Sequence, residues 1–113
     1  ARARGLDEHW VIAVGGVESG LDPDKVSPKG AKSSMQTYRR WSACGDCQLR
    51  TSGSIIADRL LKEYGPCDGA ARYNAGPRGS CQGLGGDYAR RVIRTYISLL
   101  EYELRRLDAT QSF

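Results

Sequence analysis

The stretch DYARRVIRTYISLLEYELRRL, residues 87–107, decides the fold class. Tyr88, Val92, Tyr96, Leu99, Leu100, Leu104 and Leu107 recur at three- and four-residue intervals, the period of one helix face. That stripe predicts a helix of about 20 residues, starting near Asp87. The same spacing runs through the rest of the chain, and no segment shows sustained β alternation. Near the start, Leu6, Trp10, Val14 and Val17, with Val11 beside them, predict a helix over Leu6 to Ser19. Asp7 is suited to cap it and Gly20 to stop it. Ile55, Ile56, Leu60, Leu61 and Tyr64 predict another, ended by Gly65-Pro66. Two shorter helices are expected, over Ala31 to Trp41 and from an Asp68 cap to about Asn74. Turn-rich segments at Gly20–Gly30 and Ser80–Gly86 read as loops, as does Ser42–Leu49. The reading is an all-α globule of about five helices in one domain over residues 1–113, with little or no β structure.

The longest apolar run, Trp10 to Val14, is far shorter than the ~20 residues of a transmembrane helix. Hydrophobic residues make up 40% of the chain and charged residues 27%, which excludes a disordered composition. The chain begins at Ala1 rather than Met, so a lost targeting segment stays open. Seventeen basic residues against 13 acidic ones give a net charge of +4, a balance that favours anionic partners. The basic residues fall in scattered pairs rather than one block, so solvated helix faces account for most of them.

Cys44, Cys47, Cys67 and Cys81 form an even set in a small domain, which suits two disulfides in an oxidising compartment. A four-thiolate zinc site is one rival, and free or redox-active thiols are another. Cys44 and Cys47 have the spacing of half such a site, but Cys67 and Cys81 lie too far apart for the other half. All three disulfide pairings stay open on the sequence.

Glu18 breaks the apolar pattern. It stands four residues after Val14 and seven after Val11, so it shares their inward face near the C-terminal end of the helix. Poor hydration and the negative end of the helix dipole both disfavour a carboxylate there and raise its pKa. An acid still protonated near neutral pH is what glycoside cleavage requires of a proton donor.

The sequence around Glu18 carries a resemblance. Glu18-Ser19-Gly20-Leu21-Asp22-Pro23, then Val26-Ser27-Pro28-Lys29-Gly30-Ala31 and Met35-Gln36, resemble the first signature of the lytic transglycosylases. Those enzymes have a lysozyme-like fold and cleave bacterial peptidoglycan. Ala70-Ala71-Arg72-Tyr73-Asn74-Ala75-Gly76-Pro77 resembles their second signature, and Tyr88 to Tyr96 their closing helix. The three blocks occur in the family's order and span about 80 of the 113 residues.

The resemblance implies a single lysozyme-like domain with Glu18 as sole catalytic acid and base. It implies that Ser27 supports the catalytic centre and that Met35 and Gln36 line the glycan groove. Tyr73 would pack or hydrogen-bond near the catalytic acid, with Asn74 beside it, and Tyr88 would border the cleft. No metal or other cofactor is implied. The expected partner is the peptidoglycan glycan strand, met by a monomer exported to the periplasm or carried on a virion. A secretion, conjugation, pilus or phage assembly is the expected setting, with no nucleic acid and no membrane span. The chain departs from the family at Gly15-Gly16, at Ser33-Ser34 and from Thr37 to Trp41, which puts subsite preference in question more than chemistry. Three rivals remain: a muramidase in which Asp46 or Asp22 places a water, a non-catalytic wall-binding protein on the same scaffold, and a zinc-dependent nucleic-acid module, which lacks the paired cysteine spacing and an aromatic-basic platform.

Overall fold

The computed structural model describes residues 7–20, 24–27, 31, 35–36 and 49–111. They form an all-α structure of four helices: α1 (Glu8–Ser19), α2 (Leu49–Tyr64), α3 (Pro66–Ala75) and α4 (Gly86–Gln111). No strand occurs among them beyond a single β-bridge position at Val26. No helix among them is long and apolar enough to cross a membrane.

Local chemistry explains the ends of α1. The Asp7 carboxylate accepts from the Trp10 N–H at 3.1 Å, satisfying a backbone donor that the first turn leaves open. Glu8 adds negative charge at the positive end of the helix. At the other end Gly20 turns left-handed at φ 65, and its N–H returns to the Gly16 carbonyl at 2.9 Å. α3 begins differently from the expectation. Pro66 occupies its first turn, where a missing N–H costs nothing, and Gly65 makes no side-chain cap. Asp68 therefore lies inside the helix, and its carboxylate accepts from the Cys81 N–H at 2.8 Å instead.

The expected helix over residues 31–41 does not form where the chain is described. Met35 and Gln36 make a turn, and Gln36 takes φ 48, outside the right-handed helical region. Two tertiary contacts offset the strain: Met35 packs into the core, and the Gln36 side-chain amide donates to the Lys25 carbonyl at 2.8 Å. The remainder of that segment lies outside the described residues.

α1 packs on α4 and α2, and α3 fills the space between α2 and α4. Trp10, Val14 and Val92 are the largest fully buried side chains. Around them gather Met35, Ala57, Ala70, Ala71, Tyr73 and Tyr88. The Trp10 and Tyr96 rings meet edge to face with centroids 5.3 Å apart. The small face of α3 sets the helix spacing, since a Cβ on Gly69 would lie 2.7 Å from the Leu60 carbonyl oxygen of α2. One expectation for α4 fails at its far end. Leu104 and Leu107 were expected to face inward, yet they are 61% and 48% exposed. At about 1.5 Å per residue, a helix this long outruns the three shorter ones it packs against.

Cys67 and Cys81 are joined by a disulfide with their Cα atoms 5.2 Å apart, tying α3 to the loop that leads into α4. That bond removes two of the four thiols that a zinc site would need. Cys44 and Cys47 lie outside the described residues.

Closing a loop of this length favours the folded state by about 3 kcal/mol on the chain-entropy account. Reduction of the protein, or the paired change Cys67→Ser with Cys81→Ser, is expected to lower the thermal midpoint clearly, as followed by circular dichroism. Gly69→Ala is expected to destabilise by about 1–3 kcal/mol through overpacking against α2. Gly16→Ala is its counterpart: it is helical, and a Cβ there meets nothing within 4 Å. Chemical denaturation should show it stabilising by roughly 0.5–1 kcal/mol.

Candidate active site

Glu18 lies in the last turn of α1, on the side that faces α4. The Tyr88 hydroxyl donates to its Oε1 at 2.8 Å. Tyr88 is itself buried in the first turns of α4, so the acid is held by a side chain with little freedom. Burial is the largest influence on Glu18 and raises its pKa above the ordinary carboxyl value of 4.5. The Tyr88 hydrogen bond and the charges of Lys25 and Arg91 pull the other way, and burial prevails. Burial also lifts the Tyr88 hydroxyl well above its usual pKa, and the neighbouring Glu18 charge adds to this. Tyr88 therefore stays a proton-bearing donor across the whole working range of pH.

The other residues singled out from the sequence take distinct places. Tyr73 is buried in α3, and its hydroxyl donates to the Met35 carbonyl at 2.7 Å rather than to Glu18. It is close enough to raise the pKa of Tyr88, so it stands behind the tyrosine that holds the acid. Met35 is 2% exposed and belongs to the core. Gln36 is also buried, and its amide fixes the 35–36 turn to Lys25. Ser27 exchanges two hydrogen bonds with Ala31: its N–H donates to the Ala31 carbonyl at 2.8 Å, and its Oγ accepts from the Ala31 N–H at 3.0 Å. Its hydroxyl thus closes a turn. Asn74 is exposed near the end of α3. Asp22 and Asp46, the candidates for a second acid, lie outside the described residues.

Sequence reading had missed Arg91 and Lys25. Arg91 follows Tyr88 by three residues, so the helical period of α4 already places it beside the Tyr88 face. Lys25 had no such signal, because only the fold brings the loop after α1 back toward its end. Two cavities are lined by described residues, and Glu18 lines neither. One, of about 380 Å³, runs between Gly16 and Val17 of α1 and Arg91, Arg94 and Thr95 of α4. The other, of about 450 Å³, lies on α2 and α3 and includes Tyr73 in its wall. Among the described residues, no group of three or more His, Cys, Asp and Glu side chains could hold a metal ion.

In comparison with known proteins, the chain matches no family model, no curated protein and no solved structure.

The half-buried acid makes stability depend on pH. Its folded pKa lies above its unfolded one, so its protonated form favours the fold. That contribution is complete below the unfolded value near 4.5 and is lost as pH rises through the raised folded value. Glu18→Gln is expected to flatten this part of the stability-against-pH curve. Tyr88→Phe removes a hydrogen bond that favours the carboxylate, so the Glu18 pKa should rise further. A carboxyl-carbon NMR titration of both proteins reads that shift directly, and a fall or no change would contradict the arrangement.

Proposed function

We propose that this protein is a peptidoglycan lytic transglycosylase with Glu18 as its one acid and base. The observation that carries the reading is the Glu18–Tyr88 pair: a carboxyl group whose pKa burial raises, at the end of a helix, aimed by a fixed hydroxyl. The signature-like blocks around Glu18 and Tyr73 support it, and the net charge of +4 suits an acidic wall polymer. The Cys67–Cys81 bond is in keeping with an oxidising site such as the periplasm or a virion.

In this reading Glu18 gives its proton to the glycosidic oxygen between N-acetylmuramic acid and N-acetylglucosamine. The bond from that oxygen to the muramyl C1 breaks, and the leaving sugar departs as an alcohol. The substrate's acetamido group stabilises the positive charge left at C1. Glu18, now a carboxylate held by Tyr88, accepts the proton of the muramyl 6-hydroxyl as that oxygen bonds to C1. The product is a 1,6-anhydromuramyl end; Glu18 returns to its acid form and no water is consumed. A tethered nucleophile has a high effective concentration, which is why no second acid is needed to activate water.

Mass spectrometry of material released from purified sacculi tests this. Anhydromuramyl ends, one water lighter than reducing ends, are expected. Glu18→Gln should lower the rate by roughly 10²–10⁴-fold or more with the fold retained. Reducing ends from the parent protein that disappear in Asp46→Asn would instead mark a two-acid muramidase. Tight sacculus binding with neither product would mark a wall-binding protein.

A further inference from the structure

The cavity of about 450 Å³ between α2 and α3 has a composition that the cleavage chemistry does not use. Its size falls within the roughly 300–1,000 Å³ of small-ligand sites. Ile56, Leu60 and Pro77 supply apolar wall, and Arg59 and Arg72 supply two positive charges. Arg72 is the unusual member. Its guanidinium lies over the Tyr64 ring, 4.0 Å from the centroid, so among the described residues it is held by a ring face rather than by an acid. Its Nε–H is buried and meets no acceptor among the described residues. An ion pair to a protein carboxylate would be the ordinary way to use a half-buried guanidinium, and none is formed among those residues. With the stem packed and Nε covered, the terminal nitrogens are the part of Arg72 left to meet a ligand. Among the described residues of the wall Glu63 is the one acid, outnumbered by the two arginines.

A fixed, planar, unneutralised guanidinium fits a carboxylate in a two-bond fork. Beside it, the apolar wall fits short aliphatic groups such as alanine methyls. We propose that this cavity binds the acidic peptide carried on the glycan strand, with Arg72 and Arg59 receiving a peptide carboxylate. The proposal rests on the glycan-cleaving reading for the identity of its ligand. Tyr73 provides the physical link, since it forms part of the cavity wall and also stands close to Tyr88, which holds Glu18.

Two measurements on the whole chain separate this proposal from the activity itself. In the first, the free peptide L-Ala-D-Glu-diaminopimelate-D-Ala is titrated calorimetrically into the protein. Saturable binding is expected, weakened roughly tenfold or more by Arg72→Gln and lost when the peptide carboxylates are amidated. Arg94→Gln removes a cation outside the cavity and should leave the affinity unchanged. Arg59 is exposed, so Arg59→Gln disturbs no packing and serves if Arg72→Gln fails to fold; it should weaken binding as well. Glu63→Gln should tighten it by removing a competing acid. In the second, cleavage of peptide-bearing strands is compared with cleavage of strands stripped by an amidase. The parent protein should prefer the peptide-bearing strand, and the preference ratio should fall toward one in Arg72→Gln or Arg59→Gln.

Absence of saturable peptide binding, or equal losses in the Arg72 and Arg94 variants, would overturn the proposal whether or not the strands are cleaved. Arginine-dependent peptide binding by a protein that cleaves neither strand would uphold the cavity and sink the transglycosylase reading.

Discussion

Two tyrosine hydroxyls on one strip of α4 fix α1 at both ends, and the candidate site depends on that clamp. Tyr88, Val92 and Tyr96 recur every four residues, so all three face the same way. Tyr96 donates to the Asp7 carboxylate at 3.0 Å, at the start of α1, and Tyr88 donates to Glu18 at 2.8 Å, at its end. Val92 fills the space between them and is fully buried. Each tyrosine thus contributes packing along its ring and direction through its hydroxyl. The start of α1 has a further tie, because the Asp7 backbone N–H donates to Asp58 of α2 at 3.2 Å. Asp58 is buried, and its other oxygen meets Lys62 at 2.9 Å, so that carboxylate is not left without a countercharge.

Holding α1 in this way leaves Glu18 between opposing influences. Burial against α4 disfavours its charge, and the last turn of a helix has a negative end. The Tyr88 hydroxyl and the nearby charges of Lys25 and Arg91 favour the charge, and they moderate the shift without reversing it. A group balanced like this changes protonation state at little cost, which is what an acid that must later act as a base requires. The glycan-cleaving proposal draws its strength from this balance.

α3 carries the second part of the design. Its buried small residues Gly69, Ala70 and Ala71 let α2 and α4 approach closely from different sides, and the Cys67–Cys81 bond holds the following loop against it. Tyr73 projects from this tightly held element to the Met35 carbonyl, so the turn at 35–36 is supported from beneath. The same residue walls the arginine-bearing cavity. Core packing, the turn beside the candidate site and the cavity therefore share one short helix.

Much of the helical framework was legible in the sequence, because periodicity and caps are local signals. The α4 stripe, the Asp7 cap and the Gly20 stop can each be read from residues a few positions apart, and so can the anomaly of Glu18 on an apolar face. Other features were settled only by distant contacts. Met35 and Gln36 carry an acceptable helical pattern, yet core burial and a bond to Lys25 draw them into a turn in which Gln36 is left-handed. Leu104 and Leu107 complete a stripe but lie exposed, since the pattern cannot say where the neighbouring helices stop. Tyr73 and Tyr88 were both readable as site tyrosines; which of them reaches Glu18 depends on how α3 and α4 sit across α1. Sequence alone marked the four described helices and set Glu18 on an apolar face, because those follow from neighbours along the chain. Tertiary structure decided which hydroxyl holds Glu18, which cysteine meets Cys67 and where Arg72 is left with no acid beside it among the described residues, because those depend on residues that only folding brings together.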